Sequence, residues 1–133
     1  MDKEKNFISV VVYVHDGEEQ IERFANMFIP FLETNFEHSE IIFVNDFSMD
    51  YSKEKLRNIE SNNGTVAISI LNMSYFHGME IAMNAGVDLS IGDYVLEIDD
   101  LDINYSLQQV MRAYRKVMEG YDIVGASPNM KQK

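Results

Sequence analysis

The sequence predicts a three-layer α/β/α sandwich built on a mainly parallel sheet. Five stretches rich in β-branched and aromatic residues show almost no polar alternation, which is typical of strands buried on both faces. Between these stretches the apolar residues recur at helical spacing. Strands that alternate with helices imply right-handed βαβ units and a parallel sheet covered on both sides. A chain of 133 residues has room for one such domain with one sizeable core.

The predicted strands are short apolar runs with few charges inside them. They are residues 7–14, 40–46, 65–71, 93–99 and 121–127. The chain closes with "SPNMKQK", which adds no element to cover a fifth strand. We therefore expect residues 1–133 to form a single domain, at the N-terminal end of a longer protein.

Four helices are predicted from apolar residues that recur every three or four positions. The apolar stripes are Ile21, Phe24, Phe28, Phe31 and Leu32 in the first helix, Leu56 and Ile59 in the second, Ile81, Ala82, Ala85 and Leu89 in the third, and Leu107, Val110, Met111, Tyr114, Val117 and Met118 in the fourth. Pro30 is expected to kink or shorten the first helix, since proline lacks the amide hydrogen that a helix interior needs. Ser106 is expected to cap the start of the fourth helix, and Gly120 to end it.

The charge and the composition exclude several classes of protein. The 22 acidic and 11 basic residues give a net charge of −11, which repels phosphate backbones, so we expect no nucleic-acid partner. The chain has no cysteine, which excludes disulfides and thiolate-bound zinc. No apolar run approaches the roughly 20 residues of a membrane span. We expect a cytoplasmic protein, with any membrane association belonging to the full-length form.

Three of the four predicted junctions between a strand and the following helix are acidic. In parallel sheets, ligands bind beyond the carboxyl ends of the strands, at the point where strand order reverses. The junctions read "HDGEE", "NDFSMD", "NMSYFHG" and "DDLDIN" in chain order. We therefore expect a ligand site at this edge, lined with carboxylates.

The second and third junctions each have a structural and a functional interpretation. Asp46, Ser48 and Asp50 suit the start of a helix, where such side chains cap free amides. The functional interpretation is that Asp46 accepts a hydrogen bond from the N–H edge of a nucleobase. Gly78, near the start of the third helix, would let the backbone approach a phosphate, although a single glycine is a weak signal.

The segment "VLEIDDLDIN" at residues 95–104 has the densest acids. Mg²⁺ and Mn²⁺ prefer carboxylate oxygens, and a diphosphate can supply the remaining ligands. Asp100 and Asp102 stand one residue apart and can chelate from one side of a strand end, whereas Asp99 and Asp100 are adjacent. The structural alternative is a solvated acidic turn that leads into the fourth helix. The segment alone does not decide between the two.

Together, these segments resemble the family 2 nucleotide-sugar glycosyltransferases. The matching stretches are "SVVVYVHDGEE", "IIFVNDFSMD" and "NAGVDLSIGDYVLEIDDLD". Two more, "NMSYFHGMEIAMNAGVDLSIGDYV" and "EGYDIVGAS", are similar to the branch that includes dolichyl-phosphate mannose synthase and bacterial polyprenyl-phosphate sugar transferases. The resemblance implies a Rossmann-like core with the GT-A fold. It also implies transfer of a UDP- or GDP-linked sugar to a saccharide or lipid-phosphate acceptor.

The resemblance implies roles for individual residues. Asp46 matches the acid that contacts the uracil or guanine base, and Asp99 matches the first acid of an Asp-x-Asp motif near the ribose and the metal. The expected donor site consists of Tyr13, His15, Asp16, Asp46, Ser48, Asp50, Gly78, Asp99 and Asp100. Asp100 and Asp102 are expected to hold Mg²⁺ or Mn²⁺. The catalytic base is expected beyond Lys133, so the 133 residues alone are expected to be inactive or nearly so.

Several positions depart from the usual family pattern. The departures in the first strand and the first two junctions are Tyr13, His15, Asp16, Gly17, Phe47 and Met49. More consequential is Leu101, which falls where the second metal-binding acid belongs, because leucine cannot bind a cation. Either Asp100 or Asp102 takes over that role, or metal binding is impaired.

Two other classes are alternatives to a transferase. A degenerate transferase-like module would bind a nucleotide or a protein partner without catalysis, and the drift of the site residues indicates either this or a divergent specificity. A signalling receiver domain is also an acidic five-stranded α/β unit, but it needs an acid pair after the first strand and a lysine after the fifth. We reject the receiver class because the paired acids here follow the fourth strand. A homodimer through the uncovered edge of the last strand stays open.

Overall fold

A computed structural model describes residues 2–61, 64–121 and 128–133 of the chain. Strands and helices alternate along these residues, as the sequence predicts. In chain order the elements are β1 (Glu4–Val14), α1 (Ile21–Asn35), β2 (Phe36–Asn45), α2 (Ser52–Ser61), β3 (Ala67–Asn72), α3 (Met79–Leu89), β4 (Tyr94–Ile98), α4 (Leu107–Met118) and β5 (Asn129–Gln132). The first four strands overlap the first four predicted ones.

The strands form one sheet in the order β3-β2-β1-β4-β5. β1 is parallel to β2 and to β4, and β2 is parallel to β3, so these four strands point the same way. Val12 pairs with Phe43 on one side and with Ile98 on the other. The chain moves outward from β1 to β3 and then returns to the other side of β1. Strand order therefore reverses between β1 and β4, and the carboxyl ends of these two strands are the expected ligand edge.

β5 is antiparallel to β4 and was not predicted from the sequence. Its residues, "NMKQ", lack β-branched side chains, so the hydrogen bonds to β4 and the burial of Met130 make it a strand. Lys131 and Glu97 also form an ion pair of 3.6 Å between the two strands. The strand predicted at 121–127 lies, apart from Tyr121, outside the described residues. The homodimer through the last strand stays a prediction.

The ends of α4 follow the predicted capping residues. Ser106 Oγ accepts a hydrogen bond from the Gln109 amide, and the Gln109 side chain accepts one from the Ser106 amide. The helix stops just before Gly120, whose φ is 97°. Pro30 does not shorten α1, which continues to Asn35, so the expected shortening was wrong, while the expected kink stays a prediction. The burial of Leu32 beyond the proline outweighs the lost backbone hydrogen bond.

The predicted buried face of α3 was partly wrong. Ile81 and Leu89 are 56% and 53% exposed, whereas Ala82 and Gly86 are buried. Two of the three buried residues of α3 are small because the helix lies very close to the sheet. A Cβ atom on Gly86 would lie 2.6 Å from valine methyl groups of both β1 and β2. The periodicity predicted the helix, but the closeness of the sheet decided which side faces it.

The core lies on both faces of the sheet. α1, α2 and α4 cover one face, where Phe24 packs against Phe28 and Phe43 at ring-centroid distances of 4.9 and 6.0 Å. α3 covers the other face, to which the sheet contributes Val11 and Val95. This is the predicted three-layer α/β/α arrangement. Within the described parts of the chain, no helix combines the length and the apolar character needed to cross a membrane.

Candidate functional site

The predicted site residues gather at the carboxyl edge of the parallel strands. A cleft of about 220 Å³ lies between the ends of β1 and β4. The predicted residues that line it are Tyr13, His15, Asp16, Asp99 and Asp100. Gly17, Gln20 and Leu101 complete the lining. The cleft therefore opens where strand order reverses, the place expected for a ligand in such a sheet.

Asp46, directly after β2, holds three parts of the site together. Its side chain is 0% exposed. The carboxylate accepts hydrogen bonds from the Tyr13 hydroxyl at 2.7 Å and from the backbone amides of His77 at 2.9 Å and Gly78 at 3.0 Å. Gly78 has a φ of 91° there, which glycine adopts at little cost. Asp46 thus ties β1 and the loop before α3 to the end of β2.

The Tyr13 hydroxyl is kept neutral by this arrangement. Burial raises the pKa of Tyr13 well above its ordinary value, and the hydrogen bond to the Asp46 carboxylate and the charge of that carboxylate raise it further. A neutral phenol donates one hydrogen. Tyr13 therefore presents a fixed donor to Asp46 rather than an anion to the cleft.

The loops after β1 and β2 are joined by hydrogen bonds. The amide of Asp16 donates to Ser48 Oγ at 2.9 Å, and the amide of Met49 donates to Asp16 Oδ1 at 2.7 Å. Asp16 and Phe47 have φ values of 52° and 53°. This left-handed region is uncommon for residues with a Cβ atom and is unusual for a bulky phenylalanine. The bonds between the loops therefore hold a backbone shape that the local sequence disfavours.

Asp50 links the same two loops and caps α2. Its Oδ2 accepts from the Glu18 amide at 3.1 Å, and its Oδ1 accepts from the Ser52 amide at 2.9 Å. Ser52 Oγ in turn accepts from the Gly17 amide at 2.9 Å. Burial opposes ionisation of Asp50, but the hydrogen bonds from Ser52 and from the Glu18 backbone outweigh it, so the pKa of Asp50 is lowered. The polar atoms of Asp50 are thus used to shape the loops.

Acid is expected to weaken this loop junction through Asp50. Because its pKa is lower in the folded chain than in the unfolded chain, ionised Asp50 stabilises the fold above about pH 4, and the contribution is lost as the pH falls through the folded-state pKa. Asp50→Asn removes this titration. Denaturant unfolding between about pH 5 and about pH 2 should show a smaller loss of stability in the variant than in the unsubstituted chain. An equal loss in both chains would contradict this role of Asp50.

The acidic loop after β4 presents its carboxylates to two clefts. Asp99 and Asp100 line the main cleft, and together with Asp102 they line a second cleft of about 150 Å³. Asp100 Oδ1 accepts from the Asp102 amide at 2.9 Å, which holds the loop in a tight turn. Asp102 Oδ1 lies 3.9 Å from Arg23 Nη1 on α1, in an exposed pair. Asp99 and Asp100 therefore face the main site, and Asp102 lies outside it.

Leu101 interrupts the acids because its side chain belongs to the core. It is 8% exposed and packs in the hydrophobic cluster under the loop. The loop after β1 lies so close that a Cβ atom on Gly17 would be 2.6 Å from Leu101 Cδ1. A carboxylate at position 101 would be buried against apolar groups, which is costly without partners. The absence of a side chain at Gly17 therefore leaves the space that the Leu101 side chain fills.

Three contributions to the site were not predicted. Gln20 lines the main cleft, and Tyr105 lines the second one. Burial and the nearby charge of Asp99 raise the pKa of Tyr105 to about 12. Asn45 donates from Nδ2 to Asn72 Oδ1 at 2.9 Å and so links the ends of β2 and β3. The asparagine at the end of each of two neighbouring strands could have predicted this link. No sequence pattern indicated that Gln20 or Tyr105 would line a cleft.

The carboxylates offer the oxygen ligands that Mg²⁺ and Mn²⁺ prefer. Across residues 2–61, 64–121 and 128–133, no three His, Asp or Glu side chains are grouped so that they could hold a metal ion by themselves. Asp99, Asp100 and Asp102 do share one loop and one cleft, with exposed oxygens. These residues fit a cation that takes its remaining ligands from a bound diphosphate.

Comparison with solved structures defines the class of fold. The chain resembles a mannosyltransferase from Pyrobaculum calidifontis in complex with GDP-Man and Mn²⁺, with a TM-score of 0.73 and 15% identity over 84% of this chain and 32% of that one. It also resembles residues 1–349 of TarS from S. aureus in complex with UDP-GlcNAc, with a TM-score of 0.66 and 18% identity over 90% of this chain and 36% of that one. The fold is the GT-A fold of glycosyltransferases.

Sequence comparison then gives the family. Glycosyl transferase family 2 matches residues 9–132, and the chain belongs to this family. The chain is 33% identical over 130 residues to undecaprenyl-phosphate 4-deoxy-4-formamido-L-arabinose transferase of Proteus mirabilis. This alignment covers 96% of this chain and 38% of that protein. It is 32% identical over 125 residues to an uncharacterized glycosyltransferase of Synechocystis sp., covering 94% of this chain. The chain spans 38% of the length of each of these relatives.

Proposed function

We propose that this chain forms the nucleotide-sugar-binding part of a glycosyltransferase whose donor is a UDP- or GDP-linked sugar. The observation that carries the proposal is the cleft in which His15 and Asp16 face Asp99 and Asp100. The cleft lies where the strand order of the sheet reverses. Two proteins of the same fold were solved with GDP-Man and with UDP-GlcNAc. Membership of glycosyl transferase family 2 supports the same class of reaction.

The predicted donor site divides into contacting and shaping residues. We assign donor contacts to the residues that line the cleft with partly exposed polar groups, which are His15, Asp16, Asp99 and Asp100. We assign the shape of the edge to residues whose polar groups bond within the protein, which are Tyr13, Asp46, Ser48, Asp50 and Gly78. The second group fixes the positions of the first.

A divalent cation, Mg²⁺ or Mn²⁺, would be held by Asp100 together with Asp102 or Asp99. The support is chemical, since these are exposed carboxylates on one loop beside the cleft. The fold relative from P. calidifontis was solved with Mn²⁺. When bound, such a cation offsets the negative charge of the departing diphosphate.

The transfer that we propose moves the sugar to a lipid phosphate or to a saccharide. An acceptor oxygen forms a bond to the anomeric carbon of the sugar as the bond from that carbon to the diphosphate oxygen breaks. A phosphate oxygen can attack as the anion, whereas a saccharide hydroxyl also gives its proton to a general base. The nucleoside diphosphate then leaves, and the cleft residues serve to bind and orient the donor. The name of the P. mirabilis relative favours a lipid phosphate. Such an acceptor would bring the full-length protein to a cytoplasmic membrane surface.

Donor binding can be tested by calorimetric titration of the 133-residue chain with UDP and with GDP. We expect at least one of them to bind in the presence of Mn²⁺, and to bind about tenfold more weakly once EDTA has removed the ion. Asp100→Asn should weaken binding similarly, whereas Glu60→Gln, at an exposed acid on α2, should leave it unchanged. Failure of both nucleotides to bind with Mn²⁺ present would overturn the proposal and favour the degenerate, non-catalytic module.

A further inference from the structure

We propose that the groove between α1 and α4 binds an amphipathic anion, a molecule with an oxyanion head and a single apolar chain. The groove has a volume of about 550 Å³, which is larger than that of either cleft at the carboxyl edge. It shares no lining residue with those two clefts. The site is therefore separate from the donor edge and does not depend on the nucleotide-sugar function proposed above.

α4 is a basic helix in an acidic chain. α1, α2 and α3 each carry two acidic residues. α4 carries none, and its charged side chains are Arg112, Arg115 and Lys116. The chain as a whole has 22 acidic residues against 11 basic ones. The outer side of α4 thus presents positive charge on a chain whose net charge is −11.

Arg112 and Arg115 line the groove together and are available to an anion. Both side chains are exposed, and within residues 2–61, 64–121 and 128–133 neither guanidinium forms an ion pair. Because they stand three positions apart on the helix, they lie side by side, and their like charges repel each other. An oxyanion between them removes that repulsion. A guanidinium also matches phosphate and carboxylate oxygens with two parallel hydrogen bonds.

The floor of the groove is apolar. Phe31 of α1 and Leu107 of α4 are half-buried there, and Met111 of α4 is 8% exposed. The Phe31 ring packs edge-on against Phe28, with 5.6 Å between the centroids, so it forms a fixed wall. An alkyl chain laid on these side chains would leave water together with them, which is favourable. The groove therefore has an apolar part for a chain next to a cationic part for a head.

A single dispersed molecule fits this groove better than a membrane surface or a protein does. The floor lies between two helices, so a flat bilayer would meet the exposed arginines without reaching Met111. The net charge of −11 also opposes approach to an anionic bilayer. Cavities of about 300–1,000 Å³ hold small ligands, whereas a protein partner usually buries about 800 Å² on each side. The occupant is therefore a small amphiphile, and phosphate and carboxylate are the two possible sources of its charge.

The site can be tested by NMR titration of the ¹⁵N-labelled 133-residue chain with octyl phosphate and with octanoate, both kept below micelle formation. We expect shifts of backbone amides in α4 and in the second half of α1. Affinity should rise about twofold for each methylene added between butyl and octyl phosphate, as half-burial of each CH₂ implies. Octyltrimethylammonium, with the same chain and the opposite charge, should not shift these amides. The anion that binds more tightly identifies the head group.

The decisive variants are Arg112→Gln and Arg115→Gln, which remove one charge each and keep a polar side chain. Each should weaken binding of octyl phosphate about fivefold, since an exposed charge-assisted hydrogen bond is lost. Arg57→Gln, at an exposed arginine on α2, makes the same change in net charge outside the groove and should leave the affinity within about twofold. Thermal unfolding of each variant checks that it is folded.

Several results would overturn the proposal. They are absence of these shifts with both anions, equal binding of octyltrimethylammonium, and unchanged affinity in both arginine variants. Another is co-sedimentation with phosphatidylglycerol vesicles that both variants lose, without binding of either dispersed anion, because it would assign the arginines to a membrane surface. Binding of octyl phosphate by a chain that binds neither UDP nor GDP would support this site and overturn only the proposed function.

Discussion

Replacement of Asp46 by alanine is expected to lower the free energy of unfolding by about 3–5 kcal/mol. The substitution removes the acceptor shared by the Tyr13 hydroxyl and the amides of His77 and Gly78. These donors would be left without that partner at a position where the aspartate side chain has no exposure to water. Each unpaired buried group costs about 1–3 kcal/mol, and the three donors are partly buried, so the expected loss lies toward the lower end of their sum. Urea denaturation monitored by circular dichroism measures the loss.

Two further variants control for the change of residue. Asp88→Ala, at an exposed acid on α3, should change the stability by less than about 0.5 kcal/mol. Asp46→Asn should fall between the two, because its one oxygen can still serve Tyr13 and Gly78 while its amide group faces the His77 amide. A loss below about 1 kcal/mol for Asp46→Ala would show that the three donors find other partners.

Gly86→Val is expected to destabilise the chain by about 3 kcal/mol, because it forces α3 away from the sheet. Even one Cβ atom at this position would lie 2.6 Å from Val11 Cγ1 and 2.6 Å from Val44 Cγ2. Both valines are fully buried on the central strands, so neither can move aside without opening the core. Guanidinium denaturation measures the effect.

The matched control is Asn84→Val, which introduces the same residue on the exposed side of the same helix. Its cost should stay within about 0.5 kcal/mol, because asparagine and valine have similar helix propensities and the site is exposed. Similar losses for both variants would mean that contact with the sheet does not set the position of α3. Because α3 begins next to Gly78, Gly86→Val should also disturb the amides that Asp46 holds and so weaken nucleotide binding.

These two substitutions act at opposite ends of one structural unit. Asp46 holds the loop before α3 at the carboxyl edge, and Gly86 seats the helix on β1 and β2. The loop can keep its hydrogen bonds only if the helix lies close to the sheet. The edge that we propose for the donor is therefore defined by helix packing as much as by the polar residues themselves.

Much of the fold was predictable because its signals are local. Runs such as "FISVVVYV" are apolar on both sides of a strand, and this pattern needs no knowledge of distant residues. Ser106 and Gly120 mark the ends of α4 for the same reason, since capping depends on residues within one turn. β5 was missed because its strand character comes from pairing with β4, and the buried side of α3 was misjudged because Ile81 and Leu89 are apolar yet exposed.

The sequence by itself determined the order of strands and helices, the parallel sheet and the placing of acids at its carboxyl edge. Only the tertiary structure decided which polar atoms at that edge are free. Asp46 and Tyr13 lie 33 positions apart and use their polar groups on each other, while His15, whose Nδ1 bonds to the backbone oxygen of Asp46, lines the cleft. The tertiary structure likewise explains why a leucine stands at position 101 among the acids, since its side chain packs against Gly17. Apolar periodicity depends on residues that are close in sequence and can be read directly from it. The pairing of donors with acceptors depends on residues that folding brings together.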